Sequence, residues 1–164
     1  MTAPSPSIPP RLEAVLKRFR SLGREEKMAA LVSYARKLDP LPARYRDVQD
    51  DAFSVPECQT PVRLFSEVEN GRIRFHADID VRQSPTVAAF LSIVFQAVNG
   101  EPAATTLAIP PDFVRVVMQS LGLGTREVGL EAIVARLKRY AGTADDNSPD
   151  LAGAPAREAA PPTA

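Results

Sequence analysis

The stretch VRLFSEVENGRIRFHADID, residues 62–80, constrains the fold more tightly than any other part of this chain. Two runs of strand character flank Asn70-Gly71, a dipeptide that supplies the positive φ values of a two-residue hairpin turn. In the second run Ile73, Phe75, Ala77 and Ile79 fall on one side. Arg72, Arg74, His76, Asp78 and Asp80 fall on the other. Strand side chains alternate between faces, so the pattern predicts an antiparallel sheet with one buried and one wet face.

The cover for the buried face comes from helices. Residues 11–22 place Leu12, Val15, Leu16, Phe19 and Leu22 on one helical stripe, with Pro10 in the first turn and Gly23 at the stop. Residues 24–38 repeat the period with Met28, Leu31, Val32, Ala35 and Leu38, and Asp39-Pro40 ends it. The short joint predicts an αα-hairpin. Ser84-Pro85 reads as an N-cap and first turn. The helix that follows is apolar on nearly every side and should form the core against the sheet. EPAATTLAIPPDF is a connector, and residues 112–121 predict a short helix burying Phe113, Val116, Val117 and Leu121. Thr125 caps a last helix that buries Leu130, Ile133, Val134, Leu137 and Ala141. The order α-α-β-β-α-α-α gives an α+β fold, a small antiparallel sheet with helices on one face.

Neither terminus carries this periodicity. Residues 1–9 and 142–164 are rich in Pro, Ala and small polar residues and read as disordered arms around one domain at 10–141. The first ten residues lack the basic and apolar regions of a secretory signal. The apolar run TVAAFLSIVFQAV is too short to span a bilayer. The expected setting is cytoplasmic, with no membrane partner. Twenty basic and 20 acidic residues leave no net charge, which argues against a nucleic-acid partner.

The chemistry narrows quickly. Cys58 and His76 are the only soft metal ligands, and nothing near them has ligand spacing, so no metal site is expected. His76, within strict alternation, reads as a solvated strand residue rather than the partner of a Cys–His pair. No phosphate loop or nucleophile elbow is present. Cys58 remains. It lies near the end of residues 39–61, a long connection rich in Pro and Asp with no period. A free Cys is often a small buried hydrophobe, but this one is framed by Pro56 and Pro61 in an irregular loop, which points to presentation. Asp47, Asp50, Asp51 and Glu57 precede it, and negative charge disfavours a thiolate. Arg63 offsets part of that charge.

FSVPECQTPVRLF resembles the cysteine-loop motif of the SufE family of sulfur-transfer proteins, through Val55, Cys58-Gln59, Thr60 and the strand from Val62. TREVGLEAIVARLKR is similar to that family's terminal helix, through Arg126, Gly129 and Leu130. The chain departs at Glu57, where many members have Gly, and at Arg63, where many have Trp. The resemblance implies a SufE/NifU-like fold and a thiol carrier. Cys58 would accept persulfide sulfur from a SufS-type cysteine desulfurase, stimulate it, and pass the sulfur toward an iron–sulfur assembly scaffold. Gln59 and Arg126 would contact the partner or support the loop. No cofactor of the chain's own is implied, pyridoxal phosphate belonging to the desulfurase. The other classes open to a lone thiol are a redox sensor or peroxide-reacting protein using Cys58, and an interaction module in which Cys58 only packs.

Overall fold

The computed structural model describes residues 8–48, 50–121 and 127–145. The elements run α1 (Pro10–Ser21), α2 (Arg24–Arg36), two one-turn 3-10 pieces (Ala43–Tyr45 and Asp51–Phe53), β1 (Arg63–Glu69) and β2 (Arg72–Asp78). They continue with α3 (Pro85–Val98), β3 (Glu101–Pro102), α4 (Ala103–Leu107), α5 (Phe113–Leu121) and α6 (Glu127–Asp145). The fold is α+β, a three-stranded antiparallel sheet in the order β1-β2-β3 with helices on one face.

The hairpin forms as the sequence predicts. Asn70 and Gly71 have φ of 53° and 74°, and Glu69 pairs with Arg72 across the turn. The register sets Leu64 opposite Ala77, Ser66 opposite Phe75 and Val68 opposite Ile73. Apart from Val68 at the exposed end, these residues are buried on the helix side. The Tyr140 hydroxyl on α6 donates to the Leu64 carbonyl at 3.2 Å. The free edge of β2 is stopped at Phe75 by one side chain: Asn99 Oδ1 accepts from Phe75 N–H at 2.7 Å, and its amide donates to Phe75 O at 3.0 Å.

Helix α3 is the central core element. Val87, Ala88, Ala89, Phe90, Leu91, Val94 and Val98 are each at most 2% exposed. Its buried Ser92 hydroxyl accepts from Gln96 Nε2 at 3.0 Å. Ser84 stands at the N-cap without capping, because its hydroxyl donates to Thr60 Oγ1 at 3.3 Å.

Several local expectations shift. Helices α1 and α2 meet through Phe19 and Tyr34 rings 6.0 Å apart, and each packs mainly on α3. This turns Leu31, Tyr34 and Ala35 of α2 inward and leaves Met28 and Val32 exposed. In α5 the inner side chains are Phe113, Val114, Val117 and Met118, with Val116 half-buried. The connector after α3 holds β3 and α4, the latter packed on α6. Thr125 lies outside the described residues, as does Arg126.

The expected wet face of the sheet is partly covered. Phe65 lies on that face opposite His76 and is fully buried beneath Tyr45 and Phe53. Its ring stacks on Tyr45 at 4.6 Å and tilts against Phe53 at 4.9 Å. Residues 39–61 are therefore not a free connection. Their middle forms the lid of a second small core.

Candidate functional site

Cys58 sits at the tip of a pinned excursion. Ser54 bridges Arg63 in antiparallel fashion, Val55 N–H donates to Val62 O at 3.1 Å, and Cys58 N–H donates to Val55 O at 3.2 Å. Val55 and Val62, each 3% exposed, anchor the base in the main core. Burying those two valines while the intervening prolines withhold backbone donors leaves residues 56–61 at the surface. Glu57 and Gln59 are exposed, and Cys58 is half-buried against the main core.

Two clefts flank the thiol. One, of about 490 Å³, runs from Cys58, Gln59 and Thr60 to Asp78, Asp80 and Gln83. The other, of about 330 Å³, lies between Glu57, Cys58, Gln59 and Thr60 on the loop and Val128, Gly129 and Leu130 on α6. Val128 is 72% exposed, an apolar side chain standing at the rim of that cleft.

Helix α6 and the sheet hold the loop from both sides. Arg136 Nη1 donates to Ala52 O at 2.7 Å. Arg63 Nε and Nη2 donate to Asp78 Oδ2 at 2.9 and 2.6 Å, and Nη1 donates to Val48 O. Arg63 is thus committed to Asp78, the Val48 carbonyl and the face of Phe65, rather than free to offset charge at Cys58. It fills the place the resemblance gives to an aromatic residue, as a clamp.

His76 is corrected from a solvated residue to a half-buried one. Its side chain is 13% exposed, its ring lies 5.5 Å from that of Tyr45, and its buried Nε2 stands 3.4 Å from Glu67 Oε2 without a formed hydrogen bond. Glu67 Oε1 accepts from the Tyr45 hydroxyl and from Arg44. Burial pushes the His76 imidazole below its ordinary value, and the Glu67 charge opposes part of this. Burial raises the Tyr45 hydroxyl, and its bond to Glu67 raises it further. His76 lines neither cleft at Cys58, so the structure does not bring the two together.

Of the predicted site residues, Cys58 and Gln59 come together at both clefts, and Arg126 lies outside the described residues. Among the described residues no group of three or more His, Cys, Asp and Glu side chains is placed to hold a metal ion. Among them no helix is long and apolar enough to cross a membrane. Sequence reasoning missed the closeness of Gly129 and Val128 to the thiol, since nothing in either motif says that the two meet.

A small α+β domain that holds up one thiol between two open clefts defines a thiol-presenting protein. The comparisons sharpen that class. The family model SufE, the Fe-S metabolism associated domain, matches residues 13–141. Uncharacterized SufE-like proteins from two strains of Mycobacterium tuberculosis are 33% identical over 147 residues, covering 88% of this chain and 100% of theirs. An uncharacterized SufE-like protein of Synechocystis is 24% identical over 109 residues, covering 66% of this chain and 65% of its own. The solution structure of a hypothetical protein from Thermus thermophilus matches with a TM-score of 0.72 and 32% identity, over 85% of this chain and 98% of that one. The chain belongs to the SufE family and is associated with iron–sulfur metabolism.

Proposed function

We propose that the protein is a sulfur carrier, acting with a pyridoxal-phosphate cysteine desulfurase and needing no cofactor of its own. The Cys58 thiolate attacks the outer, sulfane sulfur of the desulfurase persulfide. The partner's S–S bond breaks, its cysteine leaves as a thiolate, and a new S–S bond forms on Cys58. The exchange is redox-neutral and needs one thiol on each protein. Removing the persulfide frees the desulfurase for its next turnover, which is how acceptance stimulates it. Cys58 then passes the sulfur to a thiol on an iron–sulfur assembly scaffold by the same chemistry.

The observation that carries this reading is the single half-buried thiol at the tip of a loop with a fixed base and a cleft on each side. A partner's sulfur can reach Cys58 there, while His76 is held elsewhere by Tyr45 and Glu67. Such a thiol suits activation by the partner's site more than by its own neighbours. The exposed Gln59 and Val128 suit contact with that partner.

Intact-mass spectrometry tests the proposal. The protein, a desulfurase with its cofactor, and free cysteine are expected to give a gain of one sulfur atom. Reductant reverses it, and Cys58→Ser abolishes it while leaving the melting temperature within about a degree, as expected for a conservative change at a part-exposed site. No gain with several active desulfurases would overturn the proposal.

A further inference from the structure

Gly129 lies in the first turn of α6, and helical geometry there gives no reason for glycine. Glycine inside a helix costs about 1 kcal/mol relative to alanine. The reason lies across the cleft. A Cβ built on Gly129 would stand 3.1 Å from Cys58 Cα, 3.2 Å from its Sγ and 3.4 Å from its Cβ. Ordinary carbon contacts begin near 3.5 Å, at about the optimum separation. Gly142, further along the same helix, would meet nothing within 4 Å. Of the two helical glycines, one is open and the other is filled by the functional thiol.

We propose that Gly129 is a positioning residue. The missing side chain is the seat against which Cys58 rests, and it sets how far the thiol stands withdrawn when no partner is engaged. The residue opposite is a loop tip, and a loop tip yields more easily than the helix backbone, so a methyl group at 129 moves Cys58 outward. The significance for sulfur transfer rests on the proposed carrier function; the seating itself does not.

The test needs no desulfurase. Iodoacetamide alkylation of Cys58 is followed by intact mass across a pH series in the wild type, Gly129→Ala and Gly142→Ala. The limiting rate at alkaline pH, where the thiol is ionised, reports access rather than acidity. Gly129→Ala is expected to raise that limiting rate severalfold, with Gly142→Ala at the wild-type rate. Equal limiting rates in all three would overturn the proposal.

A double-mutant cycle keeps the proposal testable if Gly129→Ala folds poorly. In the Cys58→Ala background the sulfur contact is gone, so Gly129→Ala should be better tolerated there, read as a higher melting temperature or as recovered folding. Additive effects would overturn the seat. A failed sulfur-acceptance assay alongside faster alkylation would refute the carrier and leave the seat standing.

Discussion

Replacing Phe65 by alanine tests whether the second small core holds the segment that leads to Cys58. Phe65 is fully buried on the sheet face away from the helices. It stacks on Tyr45 at 4.6 Å, meets Phe53 at 4.9 Å, and carries the Arg63 guanidinium 5.6 Å from its ring centre. Deleting a buried Phe side chain costs about 3–5 kcal/mol, and each aromatic pair adds about 0.5–1.5 kcal/mol beyond its area. The lid here is two one-turn 3-10 pieces rather than a helix, so it collapses more readily into the space left. The expected loss is therefore at the low end, about 3 kcal/mol, or roughly a hundredfold in the unfolding equilibrium. Urea unfolding at unchanged m-value measures it. Loosening the lid should also speed iodoacetamide alkylation of Cys58, because Phe53 lies two residues before the pinned Val55. A loss below about 1 kcal/mol, of the size seen for surface changes, would refute the second core as an anchor.

Asn99 acts as a surrogate strand for Phe75, so Asn99→Ala should cost about 1–3 kcal/mol in urea unfolding by leaving both backbone groups unpaired. Asn99→Asp should cost at least as much, since a carboxylate cannot donate to the Phe75 carbonyl, and a neutral result would refute the edge-stop role. Stability should also fall on acidification. Burial holds His76 below its ordinary value of 6.5, so the unfolded chain binds a proton that the folded one resists. Stability is then lost as pH drops below 6.5 toward the folded pKa, and His76→Gln should flatten that part of the urea midpoint-against-pH curve. For Glu67, burial alone raises the carboxyl, but bonds from Tyr45 and Arg44 and the charge of His76 outweigh it and leave it below 4.5. Its contribution is present above 4.5 and lost as pH falls further, so a second decline should survive in His76→Gln and vanish in a double variant with Glu67→Gln.

Local, periodic signals were legible in the sequence. Asn70-Gly71 predicted the hairpin because only a turn wants two successive positive φ values. The almost wholly apolar run after Ser84 predicted the core helix because a helix with no polar face has to be buried. What stayed hidden had no period to read. Tyr45 and Phe53 sit in three-residue turns, too short to show helical spacing, and α4 is only five residues long. The wet-face expectation followed the charges of β2, while Phe65 on β1 shares that face and invites a lid. In α2 the apolar spacing favoured Met28 and Val32, and the packing of Tyr34 on Phe19 decided otherwise. Cys58 was legible as a residue, but its seat at Gly129 was not, since the contact joins two segments far apart in sequence.

These non-local pins determine how much of the loop is left to move. Read from sequence, residues 39–61 form one long connection able to swing as a whole. In the structure, Tyr45 and Phe53 fix its middle on the sheet, Arg63 holds the Val48 carbonyl, Arg136 holds the Ala52 carbonyl, and Val55 and Val62 close its base. Any excursion of Cys58 therefore belongs to residues 56–61. A chain extends at most about 3.3–3.6 Å per residue, so a six-residue loop with both ends fixed reaches about 10 Å from its base. A partner that exchanges sulfur with Cys58 has to dock closely enough to bring its own persulfide within that distance. The surface within such reach includes Gln59 and the exposed Val128 beside the thiol's cleft, which makes docking geometry, more than loop length, the determinant of which thiols this carrier can serve.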